Sequence, residues 1–284
     1  MEIQLDCLPC FLRQVLDASR MATDQIDVQR SIIKDTAELI ARYEDYKYSP
    51  AVGREMHNIV KRHSGVSDPY REVKNHNIKT ALLIYPSLKQ FLFNKKDRLY
   101  WALKIAATGN IIDSAIYNDI DIESQVVKEL DKEFAACDIE RFKKLMKNCK
   151  TLLIIGDNAG ETVFDRVFIE DFLYLDMTYA VRSEPIINDA TIEDVYASDF
   201  NRSVKVVSSG CNAPGTIIEE CSDAFLEVYN NADIVISKGQ GNYETLSEQD
   251  REIFFLLKAK CPIVAKRLGV SVGDYVLKSN MYGE

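Results

Sequence analysis

Apolar residues recur at helical spacing through the first half of the chain. In residues 26–40 they stand three and four positions apart, among residues that favour helices. Ser49-Pro50 and Gly65 bracket a further helix, because proline suits a first helical turn and glycine suits the position after the last turn. Two amphipathic stretches rich in Lys and Glu lie within residues 122–147. This pattern predicts a helical domain over residues 1–148.

At residue 151 the pattern changes to short, continuous apolar runs that alternate with helical stretches. Such runs, ended by Gly or by polar residues, are typical of strands buried on both faces. We predict strands at 151–155, 177–181, 204–207, 233–237 and 262–265, and helices at 161–170, 190–197, 215–229 and 247–258. Alternating strands and helices predict a mainly parallel sheet with helices on both faces. The predicted fold class is α/β, with a Rossmann-like three-layer α/β/α domain over residues 149–284 following the helical domain.

Composition and charge narrow the range of partners. The net charge of −9 over 284 residues argues against a broad surface for a nucleic-acid polymer or an anionic membrane. No segment has the roughly 18 consecutive apolar residues of a membrane span, and the N-terminus lacks the features of a secretory signal. The seven cysteines are mostly scattered and suit the reduced thiols of a cytoplasmic protein. A small phosphorylated substrate remains compatible with this charge, and the oligomeric state is left open.

Polar residues cluster directly after the predicted strands. The segments concerned are Gly156–Glu161, Arg182–Pro185 with Asn188 and Asp189, Ser208–Gly210, and Lys238–Asn242. In an open α/β sheet, ligands bind outside the carboxyl ends of the strands. Right-handed crossovers place every strand-to-helix loop at that one edge. We therefore expect these four segments to meet at a single site, although they lie far apart in the sequence.

Hard oxygen ligands and donors for an oxyanion are expected to share this edge. The side chains of Asp157, Asn158 and Asp189 suit Mg²⁺, Mn²⁺ and similar divalent ions. A divalent ion between carboxylates reverses their repulsion of phosphate, so acids, a lysine and N–H donors together predict a metal ion and a phosphoryl group. We assign Asp157 and Lys238 to catalysis and leave open whether Asp157 is a nucleophile or only a ligand. The residues assigned to phosphate binding from these loops are Ser208, Ser209, Gly210, Lys238, Asn242 and Arg182.

Each loop taken alone has a plainer explanation. An Asp-Asn pair before a helix is usually a cap, a glycine after a strand is usually part of a turn, and a single lysine is usually solvated. Two other functions also stay open: a methyltransferase on a Rossmann-like sheet, and a non-catalytic module that binds a metal or a small molecule. The segment Gly156–Glu161 does not match the G-x-G-x-x-G pattern of dinucleotide sites.

The motifs in these loops resemble those of the damage-control phosphatases, a family once known only as a domain of unknown function and also called acidic-residue-methyltransferase-like. The resemblance covers nearly the whole chain. It rests on Gly156-Asp-Asn-Ala-Gly-Glu161 with Phe164-Asp165, Arg182-x-x-Pro185-x-x-Asn188-Asp189, Lys238-Gly-x-Gly-Asn242, Cys7-x-x-Cys10, Asp68-Pro69-Tyr70 with Lys74, and Gly109-Asn110-x-x-Asp113.

The resemblance implies a function for the chain as well as a fold. It implies a helical N-terminal domain, a Rossmann-like phosphatase domain, and an Asp-Asn-Asp metal site formed by the two acids and the amide assigned above as ligands. The divalent ion would be Mn, Ni, Co or Mg, with Lys238 near the phosphate and with Asn110 and Asp113 as substrate contacts. The expected reaction is hydrolysis of phosphate monoesters of small metabolites, such as sugar phosphates or damaged nucleotides, in metabolite damage control.

Cys7 and Cys10 form a C-x-x-C pair at the start of a predicted helix. One such pair supplies only two of the four ligands of a structural zinc site, and no second pair follows in the sequence. A helix start without a preceding strand does not match a thioredoxin-like motif. The pair resembles the stand-alone prokaryotic branch of the family. Its role is left open between a structural part and a redox or metal function.

Overall fold

A computed structural model describes residues 1–112, 122–200 and 203–281. The α-helices in these ranges are α1 (Cys7–Ala22), α2 (Ile26–Ile40), α3 (Ser49–Ser64), α4 (Arg71–Phe93), α5 (Arg98–Thr108), α6 (Ile122–Leu130), α7 (Ile139–Met146), α8 (Glu161–Asp171), α9 (Ile192–Ala197), α10 (Asp223–Asn231), α11 (Gln240–Leu246) and α12 (Pro262–Leu268). The strands are β1 (Phe134–Cys137), β2 (Thr151–Ile155), β3 (Asp176–Val181), β4 (Lys205–Ser208), β5 (Ile234–Lys238), β6 (Phe254–Lys258) and β7 (Tyr275–Ser279). Of the helices in the described ranges, none is both long and apolar enough to cross a bilayer.

The strands form one sheet in the order β1-β7-β6-β5-β2-β3-β4. Neighbouring strands are parallel except β6 and β7, which are antiparallel. The prediction of an α/β fold with a mainly parallel sheet is therefore confirmed. Because β2 lies between β5 and β3, the loop that follows β2 begins at the middle of the carboxyl edge.

Side chains of β2 alternate between two hydrophobic cores, one on each face of the sheet. Leu152 and Ile154 pack with α4, α5 and α8, whereas Leu153 and Ile155 pack with α10, α11 and α12. Successive strand residues point to opposite faces, so a strand covered on both faces needs a continuous apolar run. Full burial of each such side chain contributes about 1.5–3 kcal/mol, which fixes the register of the central strands.

Helices α1, α2 and α3 surround a third core of their own, which includes Phe11, Val15 and Ile32. Helix α3 ends as the sequence predicted, because Gly65 takes the left-handed conformation with φ of 71° and caps the helix. Helices α4 and α5 belong instead to the core on one face of the sheet. The domain boundary between residues 148 and 149 stays a prediction. Strand β1 precedes that boundary in the chain, yet it pairs with β7 of the sheet that follows it.

Several element predictions for the second half of the chain are wrong. Residues 262–265, predicted as a strand, lie in α12, where Pro262 occupies the first turn and Gly269 is the left-handed cap. The predicted helix at 247–258 contains β6 instead, since its apolar end forms a buried strand. The stretch at 122–147, predicted as two helices, contains β1 between α6 and α7. Strand β7 and helix α11 were not predicted.

Candidate active site

The loops after β2 and β3 are joined by backbone hydrogen bonds. Asn158 and Asp189 form an antiparallel bridge. The N–H of Ala190 donates to the carbonyl of Asp157 at 2.7 Å, and the N–H of Ala159 donates to the carbonyl of Asn188 at 2.8 Å. The two carboxylates and the amide predicted as metal ligands are thus carried on adjacent backbone segments, all three residues buried.

Gly239 leaves the space in which the Asp157 carboxylate lies. A Cβ at residue 239 would be 2.1 Å from Cγ and Oδ2 of Asp157, so no other residue fits there. Gly239 also has φ of 80°, a conformation that side chains disfavour. A small cavity of about 10 Å³ adjoins this carboxylate, and Asn110, Glu161 and Lys260 are among its lining residues. Its volume is close to that of one water molecule or small ion.

Lys238 joins two buried carboxylates of α8, one of which, Glu161, lines this cavity. Its Nζ donates to Glu161 Oε2 at 2.8 Å and to Asp165 Oδ1 at 2.7 Å. Glu161 also accepts from Asn110 Nδ2 at 2.9 Å and from Asn158 Nδ2 at 3.2 Å. Glu161 therefore connects the first loop, the helical half of the chain and the end of β5.

Arg182 plays a similar part under the second loop. Its Nε donates to Asp189 Oδ2 at 2.7 Å, and its two terminal nitrogens donate to Thr216 Oγ1 at 2.8 Å and to Asn242 Oδ1 at 3.0 Å. Asn242 in turn donates to the carbonyls of Gly156 and Lys238. Arg182 and Asn242 are fully engaged inside the protein and hold the three loops together.

Burial and neighbouring charges shift the carboxyl groups of the site in opposite directions. Desolvation, with the charges of Glu161 and Asp189, raises the pKa of Asp157 well above its usual range. Desolvation also raises the pKa of Asp189, although the Arg182 guanidinium opposes it. For Glu161, burial works to raise the pKa, but Lys238 and further donors outweigh it and the pKa is lowered. Asp157 is therefore the carboxylate of the site whose negative charge is least compensated.

A cleft of about 980 Å³ opens onto the predicted ligands. One wall is formed by α1 and the start of α3, and the other by the loops at the carboxyl edge of the sheet. Cys7 and Cys10 lie on the first wall. The second wall includes Asp157, Asn158 and Asp189. Lys260, which is exposed, lines both the cleft and the small cavity.

Some residues predicted for phosphate binding lie elsewhere. Ser208, Ser209 and Gly210 follow β4, the edge strand two positions from β2, and none of them lines the cleft. Neighbouring strands are about 4.8 Å apart, so the end of β4 is displaced from the site by about twice that distance. These three residues instead close their own turn, in which Gly210 donates to Ser208 Oγ and Ser209 Oγ contacts Cys211.

Other predicted residues have different positions from those expected. Arg182 and Asn242 are buried behind the loops, so they support the ligands rather than face the cleft. The ammonium of Lys238 is held by Glu161 and Asp165, so its predicted contact with phosphate stays a prediction that this geometry does not favour. Asn110 lines the small cavity, and its predicted contact with substrate stays a prediction. Asp113 lies outside the described residues.

The prediction from sequence missed three contributors to the site. Glu161 and Asp165 both belonged to the first motif of the resemblance, yet neither was assigned a role. Lys260 was missed because it follows β6, and residues 247–258 had been predicted as a helix. An apolar run followed by a polar residue, the pattern used for the other strands, is present at Phe254–Lys258 and could have identified it.

The predicted donor set is two carboxylates and one amide oxygen. In the described parts of the chain, no three His, Cys, Asp or Glu side chains are arranged to hold a metal ion among themselves. Hard divalent ions such as Mg²⁺ commonly keep several water ligands and take one or two carboxylates, so the donor set fits that class of ion. The cleft, which Asp157, Asn158 and Asp189 all line, offers the space.

Comparison with known proteins supports the resemblance. Residues 3–276 match the family described as damage-control phosphatase ARMT1-like domain. A damage-control phosphatase of Pyrococcus horikoshii is 34% identical over 99% of both proteins, and one of Archaeoglobus fulgidus is 30% identical over 98% of this chain and 99% of that protein. The crystal structure of a DUF89 family protein from Pyrococcus horikoshii covers 99% of both chains, with a TM-score of 0.90 at 34% identity. The chain therefore belongs to the damage-control phosphatase ARMT1-like family.

Proposed function

We propose that this chain is a divalent-metal-dependent phosphatase that hydrolyses phosphate monoesters of small metabolites, in metabolite damage control. One observation carries the metal dependence. Among the described residues, two buried cations lie at the site, Lys238 and Arg182. Four buried carboxylates lie there with them, those of Asp157, Glu161, Asp165 and Asp189. With all four carboxylates ionised, this buried cluster has an excess of two negative charges over its two cations, and a single divalent ion would neutralise that excess.

In this proposal the ion is held by Asp157, Asn158 and Asp189. A bound Mn²⁺, Ni²⁺, Co²⁺ or Mg²⁺ would polarise the phosphoryl group and lower the pKa of water. The protein's own residues fix the ligands in place, since Arg182 holds Asp189 and Glu161 holds the Asn158 amide. Such preorganised groups contribute without rearranging during the reaction.

Lys260 is the cation that this geometry favours for the phosphoryl group. It is exposed, it lines both the cleft and the small cavity, and its charge lowers the pKa values of Asp157, Glu161 and Asp189 from where burial would place them. An ammonium there can stabilise the phosphoryl oxygens that carry charge in the transition state. Lys238 would instead fix the carboxylates below.

The cleft suits a small phosphometabolite. Its volume of about 980 Å³ lies at the upper end of the range of roughly 300–1,000 Å³ found for small-molecule sites. Sugar phosphates and damaged nucleotides are the proposed substrate classes. Helices α1 and α3 form the wall opposite the metal ligands, so we assign substrate selection to that wall. With Cys7 and Cys10 on it, the chain would belong to the stand-alone prokaryotic branch with a C-x-x-C motif.

The test is a phosphate-release screen over a panel of sugar phosphates and nucleotides. Chelator-treated protein is assayed alone and with Mn²⁺, Ni²⁺, Co²⁺ or Mg²⁺ restored. The proposal expects release that depends on an added ion. Transfer of a methyl group without phosphate release would favour the methyltransferase instead. Metal binding with neither reaction would favour a non-catalytic binding module.

A further inference from the structure

The motif Asp68-Pro69-Tyr70 with Lys74 lies outside the chemistry proposed above, yet it contacts the loop that carries Asp189. Lys74, on α4, is buried with 3% exposure. Its Nζ donates to Asp68 Oδ2 at 2.9 Å and to Asp194 Oδ2 at 3.0 Å. Both carboxylates are nearly buried, so the lysine and its partners form a charge cluster between the helical half and α9.

Asp194, besides contacting Lys74, also accepts hydrogen bonds from the chain close to Asp189. Its Oδ2 accepts from the N–H of Thr191 at 2.9 Å and from Thr191 Oγ1 at 2.7 Å, which forms the capping box at the start of α9. Thr191 stands two residues after Asp189. A change in the position of Asp194 would therefore move the backbone that carries one of the proposed ligands.

The other side of the same loop is held by a second lysine and an apolar contact. Lys61, half-buried on α3, donates from Nζ to the carbonyl of Pro185 at 2.6 Å. Ile187 has φ of 46°, a conformation rare for a β-branched residue, and packs against the core of α1, α2 and α3. Surrounding contacts must hold a residue in such a conformation.

We infer that Lys74 and Lys61 are positioning residues that set the affinity of the site for its divalent ion. Both act through the loop between β3 and α9, whose Asp189 must lie at a fixed distance from Asp157 for the two carboxylates to share one ion. The helical half thus shapes the ion site from outside as well as forming the cleft wall. This inference rests on the proposed metal site and goes beyond it, because neither lysine touches the proposed ligands.

The experiment compares two buried lysines that differ in what they contact. Lys74→Met removes the charge that joins α4 to Asp194. Lys104→Met, the matched control, alters a buried lysine on α5 that makes no hydrogen bond to the loop. Mn²⁺ is titrated calorimetrically into chelator-treated protein, and the folded state is checked by circular dichroism. Second-layer groups of metal sites typically change affinity by about 10–100-fold, so we expect Lys74→Met to raise the Kd for Mn²⁺ by about tenfold.

A positioning role also predicts what stays unchanged. At saturating Mn²⁺, phosphate release by Lys74→Met should recover to within about threefold of wild type, since the ligands and Lys260 remain. The control should keep the wild-type Kd. If Lys74→Met does not fold, Lys61→Met decides, because Lys61 is half-buried and its loss should be tolerated. We expect its Kd to rise by roughly threefold, less than that of Lys74→Met because it removes one hydrogen bond.

Several outcomes would overturn the inference. A folded Lys74→Met protein, or in its absence a folded Lys61→Met protein, with the wild-type Kd for Mn²⁺ would remove these lysines from the site. An equal loss of affinity in the Lys104→Met control would show general loosening. If wild-type protein binds none of Mn²⁺, Ni²⁺, Co²⁺ and Mg²⁺, the proposed function itself fails, and the inference fails with it.

Discussion

Lys238 and Lys104 are both completely buried, and their surroundings have opposite effects on their charge. Lys238 lies under the proposed site and donates to Glu161 and Asp165. Lys104, on α5, has no hydrogen-bond partner for Nζ among the described residues, and its nitrogen lies 3.4 Å from the ring centroid of Tyr275. The carboxylate near it, Glu129, is already bound by other donors.

The pKa values of the two lysines follow from these partners. Burial lowers the pKa of Lys104 to about 7, because a charged amine is costly away from water. Burial acts in the same direction on Lys238, but Asp165 and Glu161 outweigh it and raise its pKa. Burial alone therefore does not decide the charge state of a lysine. The region of the site keeps its charges fixed in place, whereas the region around Lys104 carries a charge only at a cost in stability.

The largest contrast should appear when each lysine is made apolar. Lys238→Met would leave Glu161 and Asp165 buried without a counter-charge, and breaking a buried pair in this way costs about 3–5 kcal/mol in the free energy of unfolding. Lys104→Met removes an amine without a hydrogen-bond partner and should be neutral or stabilising. Urea denaturation of both variants measures the two changes. Equal effects would contradict the difference between the regions.

The next largest effect concerns the cation that faces the cleft. Lys260→Ala should lower kcat/KM for phosphate release by about 10²-fold, the scale of losing one preorganised group. Bound metal and the melting temperature should stay close to wild type, because Lys260 is exposed and none of the proposed ligands is changed. Steady-state kinetics beside metal content measures this. Wild-type kcat/KM in Lys260→Ala would return the phosphate contact to Lys238, as the sequence predicted.

A smaller effect should depend on pH. The folded pKa of Lys104, about 7, is below the unfolded value of roughly 10.4, so the unfolded state binds the proton more readily between these values. Stability contributed by this group is lost as pH falls from about 10 towards 7 and then levels off. The advantage of Lys104→Met over wild type, about 1–3 kcal/mol at most, should therefore be larger at pH 7 than at pH 9.5. Melting temperatures at both values test this, and an advantage independent of pH would place the Lys104 amine in a charged, paired state.

The smallest effect is expected from the thiols on the cleft wall. Burial raises the pKa values of Cys7 and Cys10, so both should remain protonated near neutral pH. No hydrogen bond joins either thiol to the described ligand loops. The double variant Cys7→Ser, Cys10→Ser should therefore keep phosphate release within about tenfold of wild type, about 1.4 kcal/mol of barrier. A greater loss in a folded protein would give the thiols a part in the cleft.

The sequence was sufficient to predict the centre of the site. An apolar run stopped by Gly156 identified β2, and the same pattern identified β3, so Asp157 and Asp189 could be assigned to one edge of the sheet from the order of residues alone. These strands are central and covered on both faces, which makes their apolar runs continuous. For β2 and β3, therefore, the local apolar pattern was enough to identify the strand and the edge at which it ends.

The flanks of the site could not be predicted in the same way. A local pattern of residues does not reveal the order of strands in a sheet. Nothing in Ser208–Gly210 therefore showed that β4 would be the outermost strand, away from the cleft. Lys260 was not assigned to the site because the charged residues before β6 favoured a helix, so the strand that it follows was not predicted. Lys238 points to the same face of the sheet as Ile234 and Ile236, the face that packs against α8. The sequence does not show that Glu161 and Asp165 of α8 bind its ammonium, because this contact depends on how the helix packs.

The central claim is that one divalent ion, held by Asp157, Asn158 and Asp189, is required for hydrolysis. It is tested most directly by phosphate release from the best substrate of the panel during stepwise addition of Mn²⁺ to chelator-treated protein. We expect the rate to rise from near zero to a plateau at about one equivalent per chain. Asp157→Ala, folded by circular dichroism, should stay near zero throughout. A full rate before any ion is added, or wild-type activity in Asp157→Ala, would contradict this account.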